Sequence, residues 1–350
     1  MKNIRKGSAV MFEMRNKMKK LIALLLAAVL CLSLAACGKQ AGGADDAQGK
    51  PIEGGTFVYA IEEPITSLNW YNNNFTDLGK QVLSNLYDPM WKNNADGSLD
   101  YRLAKNVDIS EDGTTYTLTL RDDIYWSDGE KITTDDIVFT LDTLAEPEVA
   151  PSAATGYKVD GEFCTYEKVS DTEIVFTIGR ASNLFKKALG ALYVLPAHCF
   201  EGVPATEVLT CEQNDTIATS GAFVVDSFSV GEKLVCVKND KYYRTPAHID
   251  GFEVRCVSDA GTQEIAFQNG ELSIFTISNA ETLANYKDNE NYQVVSYPDG
   301  RITFLEINPN SEAMSTMEAR EAVISAMNLD ELVYGTYGDE TLCRTATSIL

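Results

Sequence analysis

Sixteen consecutive residues, Leu21 to Ala36, are apolar apart from Ser33, and they follow directly on Lys19-Lys20. As a helix this run rises about 24 Å, short of the ~30 Å hydrocarbon core of a bilayer. A basic start followed by so short an apolar run reads as an export signal rather than a spanning helix. The consequence for the fold is direct: the rest of the chain must fold outside the cytoplasm. The charge layout agrees. Residues 1–36 carry seven basic side chains (Lys2, Arg5, Lys6, Arg15, Lys17, Lys19, Lys20) and one acid, Glu13. The whole chain is at −22, with 29 Lys+Arg and 51 Asp+Glu, so the body beyond residue 36 stands at about −28. Such a body disfavours nucleic acid as a partner, because phosphate binding is driven by Lys and Arg. Two His leave little material for a multi-His metal site or a His-based catalytic set. At 45% hydrophobic the body can bury a core and is not an acidic disordered chain.

The end of the signal, Leu34-Ala35-Ala36-Cys37-Gly38, resembles a bacterial lipobox. That resemblance implies cleavage before Cys37 and lipid attachment to it; a short membrane anchor with a chance Cys is the alternative. Met18-Lys19-Lys20 could by itself open an ordinary signal, which leaves Met1 to Lys17 without an evident role. Residues 37–50 then form a tether rich in Gly, Ala, Gln and Asp. Its thirteen residues from Gly38 to Lys50 span roughly 20 Å as a random coil, enough to hold a globular body off a membrane.

Beyond residue 51 the chain alternates strand and helix patterns, an α/β class. Thr115 to Leu120 alternates with period two and places Tyr116, Leu118 and Leu120 on one face. Glu173 to Ile178 repeats this with Ile174, Phe176 and Ile178. Thr56–Ile61, Ala222–Val225, Lys233–Val237 and Phe252–Val257 are further predicted strands. Thr133 is a helix N-cap with Asp135 and Asp136 in the first turn, followed by Ile137, Leu141 and Leu144 at helical spacing and closed by Pro147. Ser315 and Glu318 make a capping-box pattern, Asn328 and Glu331 a second one that Gly335 would stop, and Leu78–Leu86 is a weaker helix.

These residues resemble the bacterial extracellular solute-binding proteins of family 5, the oligopeptide and dipeptide type. The resemblance rests on Leu86-Tyr87-Asp88-Pro89-Met90, Asp112-Gly113-Thr114, Tyr116 to Arg121, and Trp126-Ser127-Asp128-Gly129-Glu130 running to Ile132 through Phe139. Weaker matches are Ser67-Leu68-Asn69, Thr219-Ser220-Gly221-Ala222-Phe223, Lys238 to Tyr243, Asn269-Gly270-Glu271 and Arg320-Glu321-Ala322 through Asn328. Most of these read as scaffold, with Trp126 in a core and Ser127-Asp128-Gly129 as a turn. The chain departs from the family at Glu271-Leu272-Ser273-Ile274 and at Ala326-Met327-Asn328, where an Asp is usual.

The resemblance implies a bilobal fold of the type II periplasmic-binding-protein kind. Residues 51–88 and 205–300 are expected to form the first lobe, 89–204 an inserted subdomain, and 301–350 the beginning of a second lobe, opening with a crossing strand at Ile302–Asn308. Family members usually run well beyond this length, so the chain is expected to be C-terminally truncated, to bind ligand weakly or not at all, and to leave apolar helix faces uncovered after residue 301. The implied role is the lipid-anchored binding component of an ABC importer on the extracytoplasmic face of the membrane. It would be a monomer that passes peptides to membrane permease subunits, and no cofactor or metal is expected. Peptides would pair with backbone around Asn73, Asn74, Phe75 and Thr76. A nickel, haem or oligosaccharide ligand is the alternative within the family.

An acid–base hydrolase using Asp122, Asp123 or Asp128 is the reading from a different class, weakened because Asp122 and Asp123 are strand neighbours that point apart. No P-loop, nucleophile elbow or HExxH pattern is present. Asp108-x-Ser110-x-Asp112-Gly113 hints at a calcium loop but has Thr119 where Glu is needed, and reads as a turn. Cys164, Cys199, Cys211, Cys236, Cys256 and Cys343 lack C-x-x-C spacing. Buried thiols or one disulfide are expected, with Cys236–Cys256 the pair to consider. His198 and His248 look isolated, structural or exposed.

Overall fold

The structure, a computed structural model, describes residues 51–72, 77–94, 96–149, 151–297 and 302–346. The chain divides into Met1–Ile52 and Glu53–Leu350, and every described helix and strand lies in the second unit. Cys37 and the expected export signal lie outside the described residues. Among the described residues no helix is long and apolar enough to cross a membrane.

Twelve strands are described: β1 (Thr56–Ile61), β2 (Trp91–Asn93), β3 (Leu99–Tyr101), β4 (Ala104–Ile109), β5 (Thr115–Leu120), β6 (Lys158–Val159), β7 (Glu162–Phe163), β8 (Thr165–Ser170), β9 (Glu173–Thr177), β10 (Phe223–Ser229), β11 (Lys233–Lys238) and β12 (Gly251–Cys256). The helices are α1 (Asp77–Leu83), α2 (Thr134–Ala145), α3 (Pro151–Ala154), α4 (Asn183–Gly190), α5 (Ala260–Gln268), α6 (Ala280–Tyr286), α7 (Met317–Ala326) and α8 (Leu329–Tyr337). One four-stranded sheet has the order β1-β12-β11-β10, and another the order β4-β5-β9-β8.

In the first sheet β1 is parallel to β12, from Thr56↔Gly251 to Ile61↔Cys256. A parallel pair requires a crossover connection. Here that connection is everything between residues 61 and 251, including the whole second sheet. The second sheet is antiparallel throughout. Its central strand β5 buries Tyr116, Leu118 and Leu120, each contributing about 1.5–3 kcal/mol by leaving water. Tyr116 and Phe176 both meet Phe185 of α4 edge to face. Buried residues of both sheets, Leu118 and Phe176 in one and Leu234 and Val254 in the other, belong to one continuous core.

Helix α2 starts where the sequence places it. Thr133 accepts from the Asp135 amide, and the Asp136 carboxylate accepts from the Thr133 amide, a reciprocal capping box. Its Thr134, Ile137, Leu141 and Leu144 are buried. Three expectations for the C-terminal stretch need correction. Among the described residues Ile302–Asn308 forms no strand and pairs in no ladder. The cap of α7 is Thr316, which accepts from Ala319 N; the Ser315 hydroxyl is engaged with Glu312 O instead. Helix α8 is capped by Asn328 as expected but runs through Gly335 and stops at Gly338, whose φ of 73° is the left-handed conformation that closes a helix. No residue of α7 or α8 is buried. Met317, Ile324, Leu332 and Tyr334 are largely exposed, as expected for this stretch.

Candidate ligand-facing loop

Strand β1 ends at Ile61, and the chain continues into a loop anchored by polar contacts. Asn69, fully buried, donates from Nδ2 to Asn214 Oδ1 at 2.8 Å and accepts on Oδ1 from the Tyr71 amide at 2.9 Å. Asn214 in turn donates to the carbonyls of Val208 and Cys211, at 2.8 and 2.9 Å. The Tyr87 hydroxyl donates to Leu68 O, and Asn72 Nδ2 to Leu209 O. Trp70 stacks on Tyr193 with ring centroids 3.5 Å apart, and the Tyr193 amide donates to the Tyr71 hydroxyl. Burial pushes the Tyr71 and Tyr87 hydroxyls up, so both stay neutral donors or acceptors at any ordinary pH. Buried polar groups this fully paired hold a loop in one shape.

The chain leaves this clamp at Asn72. The expected peptide contacts Asn73, Asn74, Phe75 and Thr76 lie outside the described residues, and α1 resumes at Asp77. Beside the clamp is a recess of about 200 Å³ lined by Thr66, Ser67, Asn72, Cys211, Glu212 and Asp215, among others. Its polar, acidic lining suits cationic or hydrogen-bonding groups. Its size is below the roughly 300–1,000 Å³ of a complete small-molecule pocket.

Most motif residues hold pieces of the scaffold together. Asp88, buried, accepts from the Tyr242 and Tyr243 hydroxyls at 2.6 and 2.8 Å, and its amide donates to Ser220 Oγ. Burial first and the Asp88 charge second push both tyrosines up. Gly221 lies so close to the backbone of Asn85 and Leu86 that a Cβ would stand 2.6 Å from Asn85 O. Ser127 and Thr219 exchange two hydrogen bonds, Ser127 N to Thr219 O and Thr219 N to Ser127 Oγ. Trp126 is buried in the core.

Two of the acids weighed for hydrolysis are engaged elsewhere, Asp123 with Arg121 and Asp128 with His198. Asp123 is held by Arg121 through two bonds, at 2.8 and 2.6 Å, and its hydrogen bonds to Arg121 keep it below the usual carboxylate range. Asp112 ties its own turn by accepting from Ser110 and Thr114, which accounts for the apparent calcium loop. The six Cys of the described residues are free thiols. Cys236 pairs in register with Phe252, four residues before Cys256 on the same strand. That offset is about 13 Å along the strand, too far for a disulfide.

His248 is exposed, with Nδ1 2.7 Å from Glu53 Oε1. His198 was expected to be isolated and is not. Its Nε2 lies 2.8 Å from Asp128 Oδ2 and 3.5 Å from Cys199 Sγ. Burial pushes the Asp128 carboxyl up, but His198 and the Glu130 amide outweigh this and hold it low. Burial and the neighbouring Asp128 and Asp136 charges push the Cys199 thiol up. Seventy residues separate Asp128 from His198, so no local spacing could have announced the cluster.

The profile of the bacterial extracellular solute-binding proteins, family 5, matches residues 99–345. The oligopeptide-binding protein AppA of Bacillus subtilis is 23% identical over 326 residues, covering 91% of this chain and 59% of AppA. The dipeptide-binding protein DppE of the same organism is 23% identical over 341 residues, covering 93% of this chain and 62% of DppE. Among solved structures, the ABC transporter substrate-binding protein CtaP of Listeria monocytogenes superposes with a TM-score of 0.72 at 25% identity, over 83% of this chain and 58% of CtaP. Relatives at similar identity include a nickel-binding periplasmic protein of Escherichia coli and heme-binding protein A of Haemophilus influenzae. The chain spans about three-fifths of the length of the curated peptide-binding relatives it matches.

Proposed function

The chain belongs to the bacterial extracellular solute-binding proteins of family 5, and from that membership we propose that it is the capture component of an ABC importer for oligopeptides or dipeptides. The family and the relatives it matches are binding proteins of transporters, and the fold is that of type II periplasmic binding proteins. The observation that carries the ligand class is the pair of peptide-binding relatives, each aligned over more than nine-tenths of this chain.

The geometry supports the same reading. The loop up to Asn72 is clamped by paired polar groups and lies beside a polar recess that Asn72 itself lines. Backbone in such a place pairs with the donors and acceptors that every peptide shares, while the recess takes one side chain or terminus. In this reading residues 51–88 and 205–300 are the first lobe, 89–204 its inserted subdomain and 301–350 the start of the second. Lipid on Cys37 holds the protein at the extracytoplasmic face, and a permease receives the ligand. A nickel or haem cargo is the second reading, favoured by the relatives that bind them.

Saturation-transfer NMR distinguishes the two, because it registers weak binding. Tri- to penta-alanine peptides should give transfer from the purified chain, and the double variant Asn73→Pro, Asn74→Pro, which removes two backbone N–H donors, should reduce it by about tenfold in affinity, the loss of one or two hydrogen bonds. Absence of peptide signal together with saturable binding of haemin, or of nickel(II) by the Cys199→Ser chain, would reverse the assignment.

A further inference from the structure

We propose that Asp128, His198 and Cys199 form a zinc(II) site, separate from the ligand-facing loop and independent of the importer reading. The three donor atoms, Asp128 Oδ2, His198 Nε2 and Cys199 Sγ, lie within 4.8 Å of one another. In a tetrahedral zinc site with bonds of 2.0–2.3 Å the donors stand about 3.3–3.6 Å apart. The His198–Cys199 separation of 3.5 Å already matches, and the 2.8 Å between His198 and Asp128 needs to open by about half an ångström.

A hydrogen-bonded catalytic relay does not explain this arrangement. A Cys–His–Asp relay uses both ring nitrogens, one toward the thiol and the other toward the carboxylate. Here carboxylate and thiol converge on the same nitrogen, Nε2. One nitrogen cannot donate to Asp128 and accept from Cys199 at once. A cation placed among the three atoms satisfies all of them: one carboxylate, one thiolate and one neutral imidazole balance its double charge and leave a fourth position for water. The donor set of N, S and O excludes calcium and magnesium, which take oxygen ligands only, and is one that zinc accepts.

The donors are held by their surroundings, as metal ligands generally are. Asp128 Oδ1 accepts from the Glu130 amide, leaving Oδ2 for the metal. The 3-10 turn Ala197–Phe200 that carries His198 and Cys199 is pinned by the Ala197 amide to Asp136 Oδ1 at 2.9 Å. The side chains of Asp128 and His198 are 43% and 31% exposed, so an ion can enter from solvent.

The test uses the full purified chain stripped with a chelator. Zinc titrated against a chromophoric competitor should bind with Kd of about 1 µM or tighter. Cobalt(II) in its place should give a thiolate-to-metal charge-transfer band that Cys199→Ser abolishes and Cys256→Ser leaves intact. His198→Ala should weaken zinc by at least about tenfold, the size that loss of even an outer partner produces. Because a variant can fail to fold, the wild-type chain supplies a second measurement: zinc should slow alkylation of Cys199, mapped by mass spectrometry, and leave Cys256 unaffected. A cobalt band that survives in folded Cys199→Ser, or alkylation of Cys199 that zinc does not slow, would overturn the site.

Discussion

Asp100 stands between two guanidinium groups, with Arg102 at 2.6 Å and Arg244 at 3.0 Å. Burial alone would push its carboxyl up, but hydrogen bonds and charge from Arg244 and Arg102 outweigh that and hold it below the usual carboxylate range. A carboxyl depressed in the folded state stabilises it above the unfolded value, near pH 4, and the contribution is lost as pH falls through the lower folded value. Asp100→Asn should therefore be less stable than wild type at pH 7, and the gap should close below about pH 4 as the wild-type carboxyl takes up its proton. Urea melts at both pH values check this; a gap that persists unchanged at pH 3 would mean the pairing contributes nothing. Arg102 also reaches buried Asp88 at 3.8 Å, so this cluster joins the motif at Leu86–Met90 to that at Lys238–Tyr243. At this scale the sequence was legible where a residue acts through its immediate neighbours, as with Thr133 or Asp112. It was opaque where distant segments meet, as His198 and Asp128 do.

The helix α2 shows what a cap contributes to a whole element. Thr133 and Asp136 satisfy two backbone amides at its start, and the helix then covers the second sheet through Thr134, whose amide donates to Asp171 O. Thr133→Ala should cost about 1 kcal/mol. Ser315→Ala should stay within about 0.5 kcal/mol, because Thr316 and not Ser315 caps α7. Urea denaturation of the two variants tests the difference; equal losses would mean that the cap assignments carry no energy. The near-miss at α7 has a simple origin: Ser315 and Thr316 are both good caps, and the Glu318 three residues after Ser315 favoured the wrong one. Strands β5 and β9 were legible because they bury alternate residues, whereas β8, with Tyr166-Glu167-Lys168-Val169, is an edge strand that buries none of its residues and so carries no period. The reverse error at Ile302–Asn308 came from the family resemblance, which implied a crossing strand there, whereas a strand needs another strand to pair with it.

For the molecule as a whole, stability is distributed unequally along the chain. The parallel pairing of β1 with β12 closes a loop of nearly two hundred residues, so adding β1 to the local β10-β11-β12 meander carries the loop-closure entropy of that whole segment. The shared core running through both sheets makes them cooperate. Among the described residues none from α7 onward belongs to that core. Among those residues, this stretch's links to the rest are of the kind seen between Ser296 Oγ and Thr341 O at 3.3 Å and between Lys287 and Asp339 at 3.9 Å. Hydrogen bonds and exposed ion pairs of this kind contribute about 1 kcal/mol or less each, against the burial that holds β5. Elements with little apolar burial open at low free energy while the core stays closed. Brief thermolysin digestion under native conditions should therefore cut the folded body first within residues 302–337, at exposed Phe304, Leu305, Ile324 or Leu332, and leave a resistant fragment containing both four-stranded sheets. First cuts within β5 or β9 would show instead that the two regions open together, and that the thin contacts at Thr341 and Asp339 transmit more stability than their geometry allows.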